Sequence, residues 1–268
     1  MEIIGYAAAL LVGLSLGVFG SGGSILTVPI LVYLLGVHPM EATTYNLFVV
    51  GFTSAIGFFT YFRKHLVDVR IAFIFAIPSI ASVFLVRKFI LPRIPEMVMM
   101  IGSLEVSKNE FIMILYGVLM VLAAGSMIWQ SGIKENTTGE IKPILYLELF
   151  VLGFISGILT GMFGVGGGFI IIPSLVLFAR IPILMSVGTS LLIIAFNSLS
   201  GFAVEFFSAN QVMDYHLILW FTLLAITGLF IGLTFSLKLY PAQLKKMFGW
   251  FIIVMAIGIV VKELFLHH

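Results

Sequence analysis

Ten apolar runs with few charges inside them follow one another along this chain. They cover residues 3–19, 24–36, 41–62, 69–90, 111–130, 144–163, 168–179, 183–204, 215–237 and 246–266. A helix at the surface of a water-soluble globule needs a polar face, and these runs provide almost none. Most approach the roughly 20 residues with which an α-helix crosses a bilayer. The alternating pattern of outer-membrane strands is missing, so the runs predict helices rather than barrel strands. Composition agrees: 61% of residues are hydrophobic, 10% are charged, and the mean hydropathy is +1.20. These figures exclude a soluble enzyme, a nucleic-acid binder and a disordered segment. The expected fold class is an all-α integral membrane protein with eight to ten transmembrane segments. The first run follows Glu2 with no Lys or Arg before it, so it is expected to be a retained helix rather than a signal peptide. Cysteine is absent, which removes disulfides, thiolate metal sites and cysteine nucleophiles.

Two runs, 24–36 and 168–179, are too short for an ordinary span, and each follows a glycine cluster. The clusters are Phe19-Gly-Ser-Gly-Gly-Ser24 and Phe163-Gly-Val-Gly-Gly-Gly168, and 164 − 20 places them 144 residues apart. At that offset Gly13 meets Gly157, Gly17 meets Gly161, Gly22 and Gly23 meet Gly166 and Gly167, and Pro29 meets Pro173. Chance aligns leucines easily, but not several glycines and a proline at one spacing. The chain is therefore expected to contain two pseudo-symmetric repeats, residues 1–130 and 144–268. A polar connecting loop, 131–143, joins them. A second polar interval, Arg87 to Glu110, contains Met97-Val-Met-Met100, placed either at the interface or partly re-entrant.

If each half crosses five times, the second half runs opposite to the first. One side of the membrane then collects nine basic residues: Arg63, Lys64, Arg70, Lys134, Lys142, Arg180, Lys238, Lys245 and Lys246. The other keeps five, namely Arg87, Lys88, Arg93, Lys108 and Lys262. The excess of Lys and Arg assigns the crowded side to the cytoplasm and favours inverted repeats. Re-entrant short segments would instead give eight crossings and parallel repeats.

Paired halves with glycine-interrupted short segments point to the binding site of a secondary transporter. Glycine lets the chain unwind or turn sharply, and irregular backbone at membrane depth must line a cavity or lie buried in protein. Each restarted helix exposes N–H groups carrying a partial positive charge, which suits a small anion. The expected substrate residues are Gly20, Ser21, Gly22, Gly23 and Ser24 in the first half and Gly164, Gly166, Gly167 and Gly168 in the second. A nucleotide loop is excluded, because no Lys-Ser or Lys-Thr follows either cluster at the required spacing. Spaced glycines such as Gly13-x-x-x-Gly17 are read as helix-packing surfaces.

The stretches Gly17-Val-Phe-Gly-Ser-Gly-Gly-Ser-Ile-Leu-Thr-Val-Pro29, Gly161-Met-Phe-Gly-Val-Gly-Gly-Gly-Phe-Ile-Ile-Ile-Pro173 and Val187-Gly-Thr-Ser-Leu191 resemble the TauE/SafE family of sulfite exporters. The resemblance covers nearly the whole chain. It implies a membrane carrier for sulfur-containing anions such as sulfite, sulfoacetate or related organosulfonates. Thr44-Tyr45-Asn46 stands where the second half has Gly188-Thr189-Ser190, so the first half departs from the pattern.

Asn46, Thr189 and Ser190 are further substrate candidates, each just inside a helix that follows a short segment. Asn46 can both donate and accept, which suits an oxyanion. The alternative for all three is hydrogen bonding between helices. Glu205, near the end of an apolar run, is a candidate for proton coupling or for a side chain reaching the interface. No deep Lys or Arg is expected near the clusters, so anion attraction is expected to rest on backbone dipoles. The five histidines form no ligand cluster, and neither a metal nor any other cofactor is expected. The expected partners are a small anionic substrate and the lipid bilayer of a bacterial or archaeal inner membrane, with no nucleic acid. Phe-rich helix faces are compatible with a homodimer. A small-anion channel of the same architecture is the alternative function. An intramembrane hydrolase using Ser21 is the weaker one, since His38, His65 and His216 stand at helix ends.

Overall fold

The computed structural model describes residues 2–20, 23–95, 97–101, 104–130, 143–164, 166, 168–179, 181–208, 213–236, 250, 253–254 and 256–258. Ser21, Gly22, Gly167, the connecting loop 131–142 and most of the last apolar run lie outside the described residues. Helices dominate: α1 (Glu2–Phe19), α2 (Gly23–Tyr33), α3 (Pro39–Phe62), α4 (Val69–Leu85), α5 (Lys108–Gln130), α6 (Pro143–Phe163), α7 (Gly168–Leu177), α8 (Ile183–Ser208) and α9 (Tyr215–Ser236). Among the described residues, five helical stretches are long and apolar enough to cross a membrane: Pro39–Phe62, Val69–Arg93, Tyr146–Phe163, Leu184–Phe207 and Tyr215–Phe235. The protein is therefore a multi-pass, helical membrane protein. The short runs form α2 and α7, of 11 and 10 residues, or about 15–16 Å of helix each.

One element departs from the helical expectation. Met97–Ile101 (β1) and Leu104–Ser107 (β2) pair as a small antiparallel hairpin between α4 and α5, with Met97 opposite Ser107 and Ile101 opposite Leu104. The polar interval that sequence left between an interfacial and a re-entrant placement folds on itself. Its backbone groups satisfy one another across the ladder.

Local chemistry sets the helix ends. Asp68 caps α4 by accepting from the Ile71 N–H at 3.0 Å, and Asp214 does the same for α9 through the Leu217 N–H at 3.0 Å. Pro39 opens α3, where its missing N–H costs nothing. Gly20 and Gly164 end α1 and α6 in the left-handed region, at φ +70° and +67°. Their N–H groups close the last turns on Leu16 and Thr160, at 2.8 and 2.9 Å.

The clusters turn the chain back on itself. Gly23 at the start of α2 lies against Val12 and Leu16 of α1, while Gly5 near the start of α1 lies against Leu35 just beyond α2. The two helices are thus antiparallel, so the break is a sharp reversal rather than a kink within one continuing helix.

Packing recurs between the halves. α1 runs along α9, with Gly13 on Ala225 and Gly17 on Leu229, and α6 runs along α4, with Gly157 on Ser79 and Gly161 on Val83. Both pairs are parallel, and the glycines let backbones approach closely, as small residues do between membrane helices. The centre is the α3–α8 pair, where Gly51 meets Leu199, Gly57 meets Leu191 and Gly201 meets Leu47. α3 and α8, which the 144-residue offset relates, therefore run antiparallel. The offset of 144 holds through α8. It becomes 146 for α4 and α9, since 214 − 68 and 225 − 79 both give 146.

Candidate functional site

The reversals bring the N-termini of α2 and α7 into the interior beside the α3–α8 pair. Gly23, Ser24, Ile25 and Gly168 are all buried. First-turn N–H groups have no partner within their own helix, so the two starts bring helix-terminal donors and their partial positive charge into the protein interior.

Asn46 joins the two breaks. Its Nδ2 donates to the carbonyl of Ser24 at 3.0 Å and to that of Gly164 at 2.9 Å. Both amide hydrogens are thereby used on backbone, and Oδ1 has no hydrogen-bond partner among the described residues. The carboxamide thus meets the site as an acceptor, whereas sequence offered it as donor and acceptor alike. Tyr116 of α5 reinforces the start of α2, donating its hydroxyl to the Ile25 carbonyl at 2.8 Å, and its ring stands edge-on to Phe163 at 6.2 Å. Tyr116 is fully buried and was not singled out in the sequence. Nothing in a Tyr within an apolar run marks it.

Gly20 and Gly164 press on the opposite half. Gly20 lies against Val187 and the Ser190 hydroxyl, and Gly164 lies against the backbone of Thr43. Thr43 and Val187 occupy equivalent positions, as do Asn46 and Ser190. Gly166 adjoins Val50, Ile194 and the Ser198 hydroxyl. The Ser54 and Ser198 hydroxyls, equivalent and buried, have no partner among the described residues.

Not every candidate reaches the breaks. Ser190 does, and its hydroxyl donates to the Val187 carbonyl at 2.8 Å. Thr189 faces the loop before α4 instead, accepting from the Asp68 N–H at 2.9 Å. Tyr45, its equivalent, accepts from the Asp214 N–H at 2.9 Å. These two hydroxyls pin the caps of α4 and α9, and the fold uses them as joints.

The expectation that no deep cation stands near the clusters is corrected. Arg87 is fully buried. Its Nη1 donates to Thr44 Oγ1 and Glu205 Oε1, both at 3.2 Å, and its Nη2 donates to Thr43 Oγ1 at 3.2 Å. The Thr43 and Thr44 hydroxyls spend their hydrogens on the Met40 carbonyl, at 2.8 and 3.4 Å, which turns their lone pairs toward the guanidinium. Since Gly164 packs on Thr43, the cation lies one residue away from the second break. Sequence counted Arg87 among loop charges because it ends an apolar run. A π-helical turn, Val86–Ile90, continues α4 and carries the side chain into the protein.

Comparison with known proteins covers almost the whole chain. A family model described as sulfite exporter TauE/SafE matches residues 5–259. A "Probable membrane transporter protein" of Xylella fastidiosa is 27% identical over 255 residues, covering 93% of this chain and 91% of that protein. A probable membrane transporter protein of Methanocaldococcus jannaschii is 29% identical over 210 residues, 75% of this chain and 70% of its own length. The probable membrane transporter protein YunE of Bacillus subtilis is 25% identical over 268 residues, with coverage of 90% and 89%. No solved structure matches the chain. A match over 5–259, spanning both glycine clusters and the helices that pack on them, means that the chain belongs to the sulfite exporter TauE/SafE family.

Proposed function

We propose that the protein is a secondary transporter of a small sulfur-containing anion, sulfite or an organosulfonate, working by alternating access around the two breaks. The observation that carries this reading is the Asn46 bridge: one side chain holds the carbonyl of Ser24, at the buried start of α2, and that of Gly164, at the end of α6, and so ties the first break to the second. Helix N-termini bind oxyanions through free N–H groups and a partial positive charge. Gly23, Ser24 and Gly168 are the described residues at those starts, and Ser190 flanks the first break.

Antiparallel α3 and α8 support an inverted pair of repeats, the arrangement in which rocking of one half against the other exchanges the open side. Burial of Arg87 removes it from the loop charges, leaving four basic residues opposite nine, and this strengthens a cytoplasmic placement of the nine. The location is the cell membrane of a bacterium or archaeon.

The test is reconstitution into liposomes with radiolabelled sulfite. A carrier gives saturable flux that accelerates when unlabelled sulfite is present on the far side. Flux that rises linearly with concentration and ignores the far side means a channel.

A further inference from the structure

We propose that Arg87 supplies the positive charge that holds the transported anion, and that Glu205 must take up a proton before the anion can replace it on the guanidinium. This inference rests on the transport reading and adds the coupling to it.

The molecule contains its own comparison. With the offset of 146 for α4 and α9, Arg87 corresponds to Leu233. With the offset of 144, Thr43, Thr44 and Glu205 correspond to Val187, Gly188 and Tyr61. In that second corner Gly188 packs directly on the Tyr61 side chain, and Leu233 is buried against Gly17. Among the described residues, the positions equivalent to Arg87, Thr43, Thr44 and Glu205 carry no charged side chain. A buried ion pair is a weak source of stability, and well-packed apolar groups often serve as well or better. Four polar side chains meet in a corner where apolar packing would serve stability as well, and their presence calls for another use. Among the described residues the π-helical turn that carries Arg87 inward follows α4 and has no counterpart in α9, which stays α-helical through Ser236. Such turns are frequent at functional sites.

The pair is built to be exchanged. Glu205 makes one contact to Nη1 at 3.2 Å rather than a two-pronged grip, and Nε has no hydrogen-bond partner among the described residues. The Arg87 side chain is 0% exposed and that of Glu205 18%, so the carboxylate is the member that meets the surroundings. Thr43 and Thr44 hold the guanidinium plane but contribute no charge. Protonation at a Glu205 oxygen cancels the one carboxylate charge paired with the cation among the described residues. A singly charged oxyanion then accepts the freed Nη1–H, beside the break at Gly164. Before the exchange the corner holds one positive and one negative group. Afterwards it holds the guanidinium, the anion and a neutral carboxylic acid. Net charge is zero in both states, which avoids leaving an unpaired charge in a low-dielectric interior. The reverse sequence, loss of the anion followed by loss of the proton, completes transport of one proton with one singly charged anion.

Other described ionisable groups around this end are engaged elsewhere: Asp214 caps α9 through the Leu217 N–H at 3.0 Å, and His216 accepts from Trp220 Nε1 at 3.0 Å. Lys88 is exposed, with Nζ 5.0 Å above the Phe84 ring, and Arg93 lies 6.0 Å from the Phe89 ring. Lys108 Nζ donates to the Leu91 carbonyl at 2.8 Å. Glu110 accepts from the Ser107 N–H at 2.8 Å, His38 contacts Asn109 at 3.0 Å, and Glu41 lies in the first turn of α3. The stretch of α6 that packs on this corner, Gly153–Phe163, carries no ionisable side chain.

The experiment uses the full chain in liposomes with radiolabelled sulfite and an imposed proton gradient. Wild type should accumulate sulfite when the side carrying it is acidified, without responding to membrane potential. Glu205→Gln, permanently neutral, should lose this proton-driven accumulation yet still exchange labelled for unlabelled sulfite. Arg87→Gln should lower both activities about 100-fold at every pH, a modest loss for removal of a buried charge contact. The double variant Arg87→Leu with Glu205→Leu should keep the wild-type melting temperature and lack transport, which separates loss of the anion contact from loss of folding. Proton-driven accumulation by Glu205→Gln, or sulfite flux by Arg87→Gln near the wild-type rate, would overturn the proposal. Wild-type sulfite flux with no dependence on pH overturns the coupling and leaves the transport reading standing. A wild type inert to sulfite, sulfoacetate and sulfate overturns both.

Discussion

The Asn46 carboxamide donates to the Gly164 carbonyl at 2.9 Å across 118 residues of sequence, and this bond ties the first half of the chain to the glycine break of the second. The same nitrogen holds the Ser24 carbonyl. A single α3 side chain thus joins the start of α2 to the end of α6, two points that the sequence places far apart.

Replacing Asn46 by Ala leaves two buried carbonyls without this donor. Each loss costs about 1–3 kcal/mol when no new partner is found. A lower melting temperature in detergent and strongly reduced sulfite flux are expected. Asn46→Asp should be worse than Ala, since a carboxylate would face two carbonyl oxygens. Equal melting temperatures for Asp, Ala and wild type would show that the bridge does not stabilise the site.

Gly20 and Gly164 share a left-handed backbone, so Ala at either is strained by about 1–2 kcal/mol. Their surroundings differ. A Cβ at Gly20 would meet the Val187 side chain, whereas one at Gly164 would meet the Thr43 backbone. Gly164→Ala should therefore be the more damaging. Val187→Ala should partly rescue Gly20→Ala, while no side-chain truncation at Thr43 should rescue Gly164→Ala. Melting temperatures of the four variants and the two doubles decide this.

Tyr116→Phe removes one bond to the Ile25 carbonyl and keeps the ring against Phe163. A loss of about 1 kcal/mol in stability is expected. Hydrogen exchange should rise at the start of α2 and not in α9, and uniform change across both helices would contradict the local role.

Thr189→Val removes the acceptor for the Asp68 N–H while keeping the shape of the side chain. It should destabilise the α3–α4 loop by about 1 kcal/mol and leave the affinity for sulfite unchanged. Weaker sulfite binding with an unaltered melting temperature would return Thr189 to the substrate site.

Sequence alone determined the environment and the parts. Long uncharged runs admit only membrane helices, because backbone polar groups in lipid must be satisfied within the segment. The matched clusters located both reversals, since close turns depend on local backbone freedom, which Gly20 and Gly164 express directly. The tertiary structure decided which polar groups meet. Arg87, Thr43, Thr44 and Glu205 are scattered over three helices, and only the antiparallel α3–α8 pair and the π-helical turn of α4 converge them. Thr189 and Ser190 are neighbours in sequence, yet one serves a helix cap and the other lies at a break, because successive residues on a helix point about 100° apart. Periodicity identifies a helix and its ends. Partners across the bundle depend on helix direction and rotation, which are set by packing between segments more than a hundred residues apart.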